Sequence, residues 1–402
     1  MGVASLLLDN AKFMYPAYAW LRGAAVDLRI DREQAVYTRR VERAWNYDEA
    51  AEQLRRRLRA RKLAWRNLSV ERPLHVVYAS RPSNWEPHNI PPQLAEVAKV
   101  TPYYFGARGF DDAESSWIFR RHELDNDILS FVEALHKRDP VHLFIGYLSG
   151  WQVARQTIEA IGAMGIVTCA FHWDDKLSFR GSWAGGRWSG PAEVAAAYDL
   201  NLTNAPSSIL KYQGEGGIAI FWPEGANPSH FAPRREAFLY DVSFIGGRYG
   251  WRPPLVDFLR KHQINIEAFG PGWPNGTVSE PEMVQIINGS RINIGVGGIG
   301  YSRKSQCLKG RDFEIPMCGA LYLTSYNPEL ELAYSLEREI STYRTDQECL
   351  DKVRFFLSNP SRADAIRHAA RETCLRKHSW KRRFTDLIEI LNAAIVRGTR
   401  EC

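Results

Sequence analysis

The stretch Tyr240-Asp-Val-Ser-Phe-Ile-Gly-Gly-Arg-Tyr-Gly250 joins a run of β-favouring residues directly to a glycine-rich loop. Its first six residues predict a buried strand, because valine, isoleucine, phenylalanine and tyrosine fit a pleated sheet. The glycines that follow predict a tight turn. Beyond the turn, apolar patterns predict helices near 253–262 and 280–287 and strands near 264–269 and 292–295. Such alternation is typical of a parallel sheet covered by helices.

The same alternation precedes this stretch. Before it, strands are predicted at 74–79, 97–105, 141–145 and 166–171, with helices near 124–136 and 151–164. Residues 223–233, rich in proline, glycine and asparagine, predict a crossover between domains. A long helix is predicted near 380–395. Two α/β units in tandem, with a terminal helix long enough to cross back, form the outline of the GT-B architecture, in which two Rossmann-like domains face each other across a cleft.

These patterns divide the chain into five segments. We predict an N-terminal helical extension (1–72), an N-terminal Rossmann-like domain (73–222), an interdomain crossover (223–239), a C-terminal Rossmann-like domain (240–379) and a C-terminal helix that crosses back (380–402).

The composition is that of a soluble globular protein with room for two cores, at 402 residues, 45% hydrophobic and 24% charged. The net charge of +6 favours anionic ligands only weakly and does not by itself indicate nucleic acid. Six scattered cysteines lack paired spacing and indicate free thiols in a reducing compartment. The start of the chain lacks the features of a signal peptide, and no apolar run is long enough to span a bilayer. We therefore expect a cytoplasmic protein without a transmembrane segment.

Residues 54–66 are unusually basic, with seven cations in thirteen residues. The simpler interpretation is a helix that packs on its own protein and leaves its cations in solvent. The functional interpretation is contact with an anionic membrane surface or a polyanionic acceptor. The apolar residues of this region approximate one stripe, namely Leu54, Leu58, Trp65 and Leu68.

The loop after the strand at 240–245 is a candidate phosphate-binding loop. Gly246 and Gly247 would let backbone amides approach an anion, and Arg248 or Arg252 would add positive charge. A glycine turn with a solvated arginine is the simpler alternative.

A second candidate is the segment Lys309-Gly-Arg-Asp-Phe-Glu-Ile-Pro-Met-Cys-Gly319. It predicts a helical turn capped by Asp312, with Pro316 tolerated only in the first turn, and ended by a left-handed Gly319. Lys309 and Arg311 beside a helix start suit phosphate, and the Glu314 carboxylate could accept two hydrogen bonds from a ribose diol. A surface salt bridge between Arg311 and Glu314 is the simpler reading.

Gly295-Val-Gly-Gly-Ile-Gly300 satisfies the G-x-G-x-x-G pattern and follows a predicted strand. A nicotinamide-dependent oxidoreductase must therefore be considered. A dinucleotide fingerprint opens a helix in the first turn of its domain, whereas here several elements of the same unit come first. We interpret 297–308 instead as a flexible loop over a ligand.

In the first unit, His172, Asp174 and Asp175 directly follow a buried strand, at the end where open α/β sheets place ligands. Asp174, Asp175 or His172 could deprotonate an acceptor hydroxyl. The alternative is an Asp pair that caps the next helix or pairs with Lys176. No His, Cys and Asp grouping has convincing metal spacing, so we predict no bound metal and no cofactor.

Several motifs resemble those of the CgeB-like spore-maturation glycosyltransferases, which are similar to a branch of the group 1 GT-B enzymes. The resemblance covers roughly 165–390 and is strongest from 240. It rests on Asp241-Val-Ser-Phe-Ile-Gly-Gly, Asn293-Ile-Gly, Arg311-Asp-Phe-Glu-Ile-Pro-Met-Cys-Gly-Ala, Glu339-Ile-Ser-Thr-Tyr and Lys377-His-Ser-Trp-Lys-Arg-Arg, which occur in the family's order and spacing.

The resemblance implies that the second unit binds a nucleotide-sugar donor, with Arg311 on the diphosphate and Glu314 on the ribose. It aligns Glu314 with the second acid of the E-x7-E element of group 1 enzymes. The first acid, which contacts the donor sugar, would fall at position 306, where this chain has Gln306. The usual sugar contact and the retaining stereochemistry are therefore not implied.

Together these features predict a glycosyltransferase that moves a sugar from a nucleotide-diphosphate donor to an acceptor hydroxyl without a metal ion. Lys309, Arg311 and Arg248 would stabilise the leaving diphosphate, and a base from 172–175 is needed only if the transfer is inverting. The alternatives are a non-catalytic sugar or nucleic-acid binding protein, a DNA-modifying glycosyltransferase that combines both classes, and an NAD(P)-dependent oxidoreductase. The acceptor is open: a glycan, a protein, a small molecule or DNA.

Overall fold

The computed structural model describes residues 15–59, 61–68, 73–81, 86–234 and 237–396. They form two compact α/β units. What we call the amino-terminal unit contains the described residues of Glu33–Pro223 and of the segment that starts at Trp380. The carboxy-terminal unit contains those up to Arg32 and those of Glu224–Ser379. One division falls inside the amino-terminal helix, Tyr15–Thr38.

The described part of the amino-terminal unit contains a six-stranded sheet in the order β2-β1-β3-β4-β7-β8, and every pairing in it is parallel. The intervening β5 and β6 form a separate antiparallel pair. The strands are β1 His75–Ser80, β2 Lys99–Tyr104, β3 Leu143–Gly146, β4 Val167–His172, β5 Trp183–Ala184, β6 Arg187–Trp188, β7 Leu200–Thr203 and β8 Ala219–Phe221. The α-helices are Tyr47–Arg59, Ile90–Ala95, Trp117–Arg138, Arg155–Ala163, Asp175–Ser178, Ile209–Gly214 and Trp380–Val396.

Both faces of this sheet are covered, as the predicted alternation requires. Neighbouring residues of a strand point to opposite faces, so Val76 and Val77 of β1 belong to two different apolar clusters. The helices Tyr47–Arg59 and Trp380–Val396 pack on the face of Val76, and Trp117–Arg138 packs on that of Val77. Continuous apolar strands are expected for a parallel sheet buried on both sides.

The described part of the carboxy-terminal unit contains a second parallel sheet, in the order β10-β9-β11-β12-β13. Its apolar core joins the sheet to the helices that cover it, with Val242, Ile292 and Leu323 from strands and Leu255 and Val353 from helices. Strands are β9 Tyr240–Ile245, β10 Ile266–Phe269, β11 Ser290–Gly295, β12 Tyr322–Ser325 and β13 Ser341–Tyr343; α-helices are Arg252–Lys261, Glu280–Asn288, Arg311–Met317, Asp346–Ser358 and Pro360–Lys377.

The five predicted segments stay a prediction, and the structure divides the chain after Arg32, Pro223 and Ser379. No helix among the described residues is both long enough and apolar enough to cross a membrane.

Candidate functional site

A pocket of about 70 Å³ lies at the carboxyl ends of three neighbouring strands of the carboxy-terminal unit. Val296 after β11, Ser325 at the end of β12 and Tyr343 at the end of β13 contribute to its wall. We call it the carboxyl-edge pocket. Two of the predicted site residues, Arg252 and Gln306, also line it. Open parallel sheets bind ligands at this edge.

Arg252 is held rigidly beside this pocket. It begins the helix after β9, and its guanidinium donates to the carbonyl oxygen of Gly247 at 2.9 Å while lying 4.1 Å from the ring centre of Tyr249. Burial lowers the pKa of Arg252, and the nearby charge of Arg311 lowers it further. A desolvated guanidinium that faces another cation gains most from a bound anion.

The amides of the glycine loop are largely used within the protein. The N–H of Gly246 donates to Phe269 at 2.8 Å, and that of Arg248 donates to Pro271 at 2.8 Å, which ties the loop to the end of β10. The Arg248 guanidinium lies 5.7 Å from the ring centre of Trp273. Side-chain charge, more than these two amides, is what this loop offers an anion, and the roles of Gly246, Gly247 and Arg248 stay predictions.

The helix Arg311–Met317 starts differently from the prediction. Gly310 occupies its N-cap, so the predicted cap by Asp312 is wrong. Asp312 lies in the first turn, and its carboxylate accepts the backbone N–H of Lys309 at 2.7 Å. Burial raises the pKa of Asp312 to about 7. This acid therefore fixes the backbone at Lys309.

Pro316 lies inside this helix and not in its first turn. A proline there leaves the carbonyl four residues earlier, that of Asp312, without its helical donor. The hydroxyl of Tyr334 donates to that carbonyl oxygen at 2.7 Å and replaces the missing bond. The predicted left-handed end of the helix is confirmed, because Gly319 has a φ of +66°.

Arg311 and Glu314 pair within this helix, as their spacing predicts. The pair is not the surface salt bridge of the simpler interpretation, since only 1% of Glu314 is exposed. The guanidinium of Arg311 covers the carboxylate, and a Cβ at Gly310 would approach Oε1 of Glu314 to 3.2 Å. The carboxylate of Glu314 is therefore paired with Arg311 and shielded from solvent.

A second buried acid, Glu280, lies beside this pair and was missed from the sequence. Burial raises the pKa of Glu280 to about 8, and the negative charge of Glu314 adds to the shift. Oε1 of Glu280 lies 3.4 Å from Nε2 of His230. Glu280 therefore keeps its proton to a higher pH than an ordinary glutamate. Its position at the start of a helix with a capping box, formed by Ser279 and Glu282, made it look like an ordinary first-turn acid.

Gln306 is held at the carboxyl-edge pocket by both ends of its amide. Its Oε1 accepts from the hydroxyl of Ser325 at 3.0 Å, and its Nε2 donates to the carbonyl oxygen of Arg303 at 2.7 Å. The loop before it is closed by a bridge between Gly298 and Gln306. The loop is thus tied down at several points, in contrast to the flexible loop that was predicted.

The glycine motif at 295–300 does not open a helix. Its first residue, Gly295, ends β11 and the others belong to the loop that follows, and among the described residues the next α-helix begins only at Arg311. The helix N-terminus that holds a dinucleotide pyrophosphate is therefore missing from this turn.

In the amino-terminal unit, the three predicted catalytic residues line one cavity of about 380 Å³ at the end of β4. We call it the β4 cavity. Tyr147 and Trp173 also line it. His172, the last residue of β4, is 5% exposed, and burial lowers its pKa to about 3. Within the described ranges no hydrogen-bond partner reaches its Nε2, which is itself buried. A neutral imidazole with unused hydrogen-bonding capacity thus lies at the wall of this cavity.

The two aspartates differ sharply. Asp175 is buried and accepts hydrogen bonds from Ser208 at 2.9 Å and Tyr212 at 3.0 Å. Burial raises the pKa of Asp175 to about 6. Asp174 is exposed at the start of the short helix that follows β4. Asp175 is built into the protein, whereas Asp174 presents its carboxylate to solvent.

Two arginines of the basic stretch bind groups within the amino-terminal unit. Arg57 donates to the carbonyl oxygens of Tyr198 and Gly216, and Arg61 pairs with Asp199 through two contacts of 2.5 and 2.6 Å. The predicted apolar stripe is buried at Leu54, Leu58 and Trp65.

Across the described ranges, no group of three or more His, Cys, Asp or Glu side chains could hold a metal ion.

Residues 252–389 match the model of a family described as "Glycosyl transferase-like". The matched segment is about a third of the chain and contains Arg252, Gln306, Lys309, Arg311 and Glu314. None of the curated proteins matches this chain in sequence.

Several solved structures are similar over most of the chain. A glycosyltransferase from Rickettsia africae ESF-5 has a TM-score of 0.55 at 11% identity, over 80% of this chain and 98% of that one. HepE of Anabaena, in complex with UDP and glucose, has a TM-score of 0.52 at 10% identity, over 80% and 100%. An α-glucosyltransferase in complex with UDP and a 13-mer DNA with a central A:G mismatch has a TM-score of 0.52 at 11% identity, over 80% and 99%. These similarities identify the fold as GT-B, with two Rossmann-like domains.

Proposed function

We propose that this protein is a glycosyltransferase that takes a sugar from a nucleotide-diphosphate donor and transfers it to an acceptor hydroxyl. One observation carries the proposal: Arg252 and Gln306 line a pocket at the carboxyl ends of β11, β12 and β13, and Arg311 lies close enough to shift the pKa of Arg252. Both arginines belong to the segment that matches the glycosyl transferase-like family.

In this proposal, the two arginines stabilise the leaving group. Negative charge grows on the departing diphosphate as the glycosidic bond breaks, and a cation that is already in place lowers the energy of that state. Arg252 is desolvated and fixed by Gly247 and Tyr249. Arg248 lines a separate pocket with Pro253 and Asp257, so its contact with the diphosphate stays a prediction, as does that of Lys309. The seven-residue helix that starts at Arg311 contributes mainly its side chains.

Donor binding would rearrange the pair of Arg311 and Glu314. When the Arg311 guanidinium turns from Glu314 to the diphosphate, the uncovered carboxylate is free to accept hydrogen bonds from the ribose diol. One movement would thus build both contacts. Gln306 replaces the acid that contacts the donor sugar in the related enzymes and would contact the sugar through its amide.

The β4 cavity is the proposed acceptor site. A neutral His172 can accept a hydrogen bond or a proton from an acceptor hydroxyl, although its low pKa makes it a weaker base than an ordinary histidine. Asp174 is the second candidate for a base. Asp175 is better suited to hold the end of β4 in place, since Ser208 and Tyr212 already occupy its carboxylate.

Four finer points belong to the proposal. The reaction would proceed without a metal ion or another cofactor, because the cations described above supply the positive charge. The protein would belong to the CgeB-like branch, on the motifs of the carboxy-terminal unit. It would be a hexosyltransferase, and it would act in the cytoplasm.

Calorimetric titration with UDP-, GDP-, TDP- and CMP-linked sugars, with thermal shift as a first screen, tests the proposal. We expect one nucleotide family to bind and Glu314→Ala to weaken that binding about tenfold, because the ribose contact is lost. Glu372→Ala is the matched control, since Glu372 is an exposed acid on a helix of the same unit. The proposal is wrong if the wild type binds none of these compounds.

DNA is a second candidate acceptor, because one α-glucosyltransferase of similar fold is in complex with UDP and DNA. The basic stretch at 54–66 is a poor candidate contact, since Arg57 and Arg61 already bind groups of their own unit. Binding of duplex DNA that weakens steeply with salt, together with sugar transfer to that DNA, would favour this acceptor. Absence of transfer to DNA would dismiss it.

A further inference from the structure

The loop 297–305 forms one wall of the carboxyl-edge pocket. Gly298, Gly300 and Ser302 line the pocket, and Gln306 follows directly. Within the loop, the backbone N–H of Ser305 donates to the hydroxyl oxygen of Ser302 at 2.8 Å. The shape of this wall therefore depends on where these two serines are held.

Asp27 of the amino-terminal helix holds both serines. Its Oδ1 accepts hydrogen bonds from the hydroxyls of Ser302 and Ser305, each at 2.6 Å. Both serines are buried, and Asp27 is half-buried. Hydrogen bonds to an ionised acceptor are stronger than those between neutral groups. A single carboxylate thus fixes two points of the loop from a position more than 270 residues earlier in the sequence.

The backbones of the helix and the loop also lie in direct contact. A Cβ at Gly23 would come within 2.7 Å of the carbonyl oxygen of Tyr301, so any larger residue at position 23 would push the loop away. The ring of Tyr301 packs edge-on against Tyr18, with ring centres 5.7 Å apart. The guanidinium of Arg22 lies 5.6 Å from the centre of the Tyr301 ring.

We propose that the first half of the amino-terminal helix is a structural part of the donor site, and that Asp27 is a positioning residue for it. Asp27 sets the loop 297–305, and through the loop it sets the pocket wall and Gln306, which is hydrogen-bonded to Arg303 of the same loop. This inference rests on the proposed function, because the site it positions is the proposed donor site. Helix residues 15–32 belong to the same compact unit as the loop.

The test compares Asp27→Ala with Asp27→Asn and with Asp31→Ala. Alanine removes both hydrogen bonds, whereas asparagine keeps an Oδ1 that can accept both hydroxyls. Asp31 is the matched control, because it lies on the same helix and its contact with the loop, an ion pair with Lys304 at 2.8 Å, is exposed to solvent and therefore weak. We expect Asp27→Ala to raise KM for the donor about tenfold with little change in kcat, Asp27→Asn to restore most of the loss, and Asp31→Ala to behave as wild type.

Hydrogen exchange of peptides that cover 297–307 provides a readout that needs no donor. Asp27→Ala should speed exchange there by about tenfold and leave peptides from β9 unchanged. Gly23→Ala, which wedges the loop instead of releasing it, should raise KM in the same way and serves if Asp27→Ala folds poorly.

The outcomes separate this inference from the proposed function. If the wild type binds no nucleotide-sugar, the proposed function fails. Faster exchange at 297–307 in Asp27→Ala would still show that Asp27 holds the loop. If the wild type binds donor and both Asp27→Ala and Gly23→Ala bind it equally well, the positioning role is overturned. Unchanged exchange at 297–307 would mean that Asp27 does not hold the loop through Ser302 and Ser305.

Discussion

The carboxyl-edge pocket and the β4 cavity occupy equivalent places in two parallel sheets, yet their chemistry differs. The first is lined by Arg252, whose guanidinium is desolvated and lies close to the charge of Arg311. The second presents a buried histidine whose imidazole stays neutral. Topology therefore decides where a ligand can bind in each unit, and the side chains at that edge decide which step of a reaction the unit can serve.

The two units also differ in the groups that surround their buried acids. Glu314 is buried under the guanidinium of Arg311, so a ligand that drew Arg311 away would expose it. Asp175 is buried and accepts hydrogen bonds from two hydroxyls of its own unit, so a ligand could not uncover its carboxylate in the same way. The first acid is suited to ligand binding, and the second to holding a strand end.

The largest expected effect is at Arg252. We expect Arg252→Ala to lower kcat/KM for the donor by about 100- to 1000-fold, because the preorganised charge on the leaving diphosphate is lost. Steady-state kinetics with the nucleotide-sugar identified by calorimetry would measure it. Arg291→Ala is the control, since that arginine is half-exposed and pairs with Asp241 at the opposite end of β9. A loss of less than threefold at Arg252 would contradict the cationic role of the carboxyl-edge pocket.

The next effect is at His172. His172→Gln should lower kcat by about 100-fold and leave KM for the donor unchanged, because the base acts on the acceptor and not on the nucleotide. Asp174→Asn, made in parallel, assigns the role: the variant with the larger loss of kcat identifies the base. Full activity of both variants would mean that the transfer uses no protein base from this cavity.

A smaller effect is expected on stability at Asp175. Asp175→Asn keeps the shape of the side chain but weakens the acceptance of the Ser208 and Tyr212 hydroxyls, at a cost of about 1–3 kcal/mol. Chemical denaturation would measure it, with the exposed Asp174→Asn as the matched control. An equal stability of the two variants would contradict the structural role of Asp175.

The sequence predicts the local features well and the long-range contacts poorly. The strands, the terminal helix and the left-handed Gly319 follow from periodicity and backbone preference, which act over a few residues. The contact of Asp27 with Ser302 joins residues far apart in the chain, and neither residue stands out locally. Glu280 was missed for a related reason, since only its burial beside Glu314 distinguishes it from a capping acid.

The last expected effect is on the pH dependence of stability, at Glu280. Glu280 has a pKa near 8 in the folded protein against about 4.5 when unfolded, so the folded state holds a proton that the unfolded state releases. Stability therefore falls as pH rises between these two values. Glu280→Gln removes this loss, and we expect its melting temperature to fall less than that of the wild type from pH 5 to pH 8, by an amount that corresponds to about 1–3 kcal/mol.

Burial also raises the pKa values of Asp175 and Asp312, so each of them still lowers the stability of the protein as the pH rises. Glu280→Gln therefore keeps part of the pH dependence of the wild type. Asp174→Asn is the control, because that exposed carboxylate should leave the pH dependence as it is. Parallel melting curves of Glu280→Gln and the wild type across this range would mean that Glu280 is ionised beside Glu314 in the folded protein.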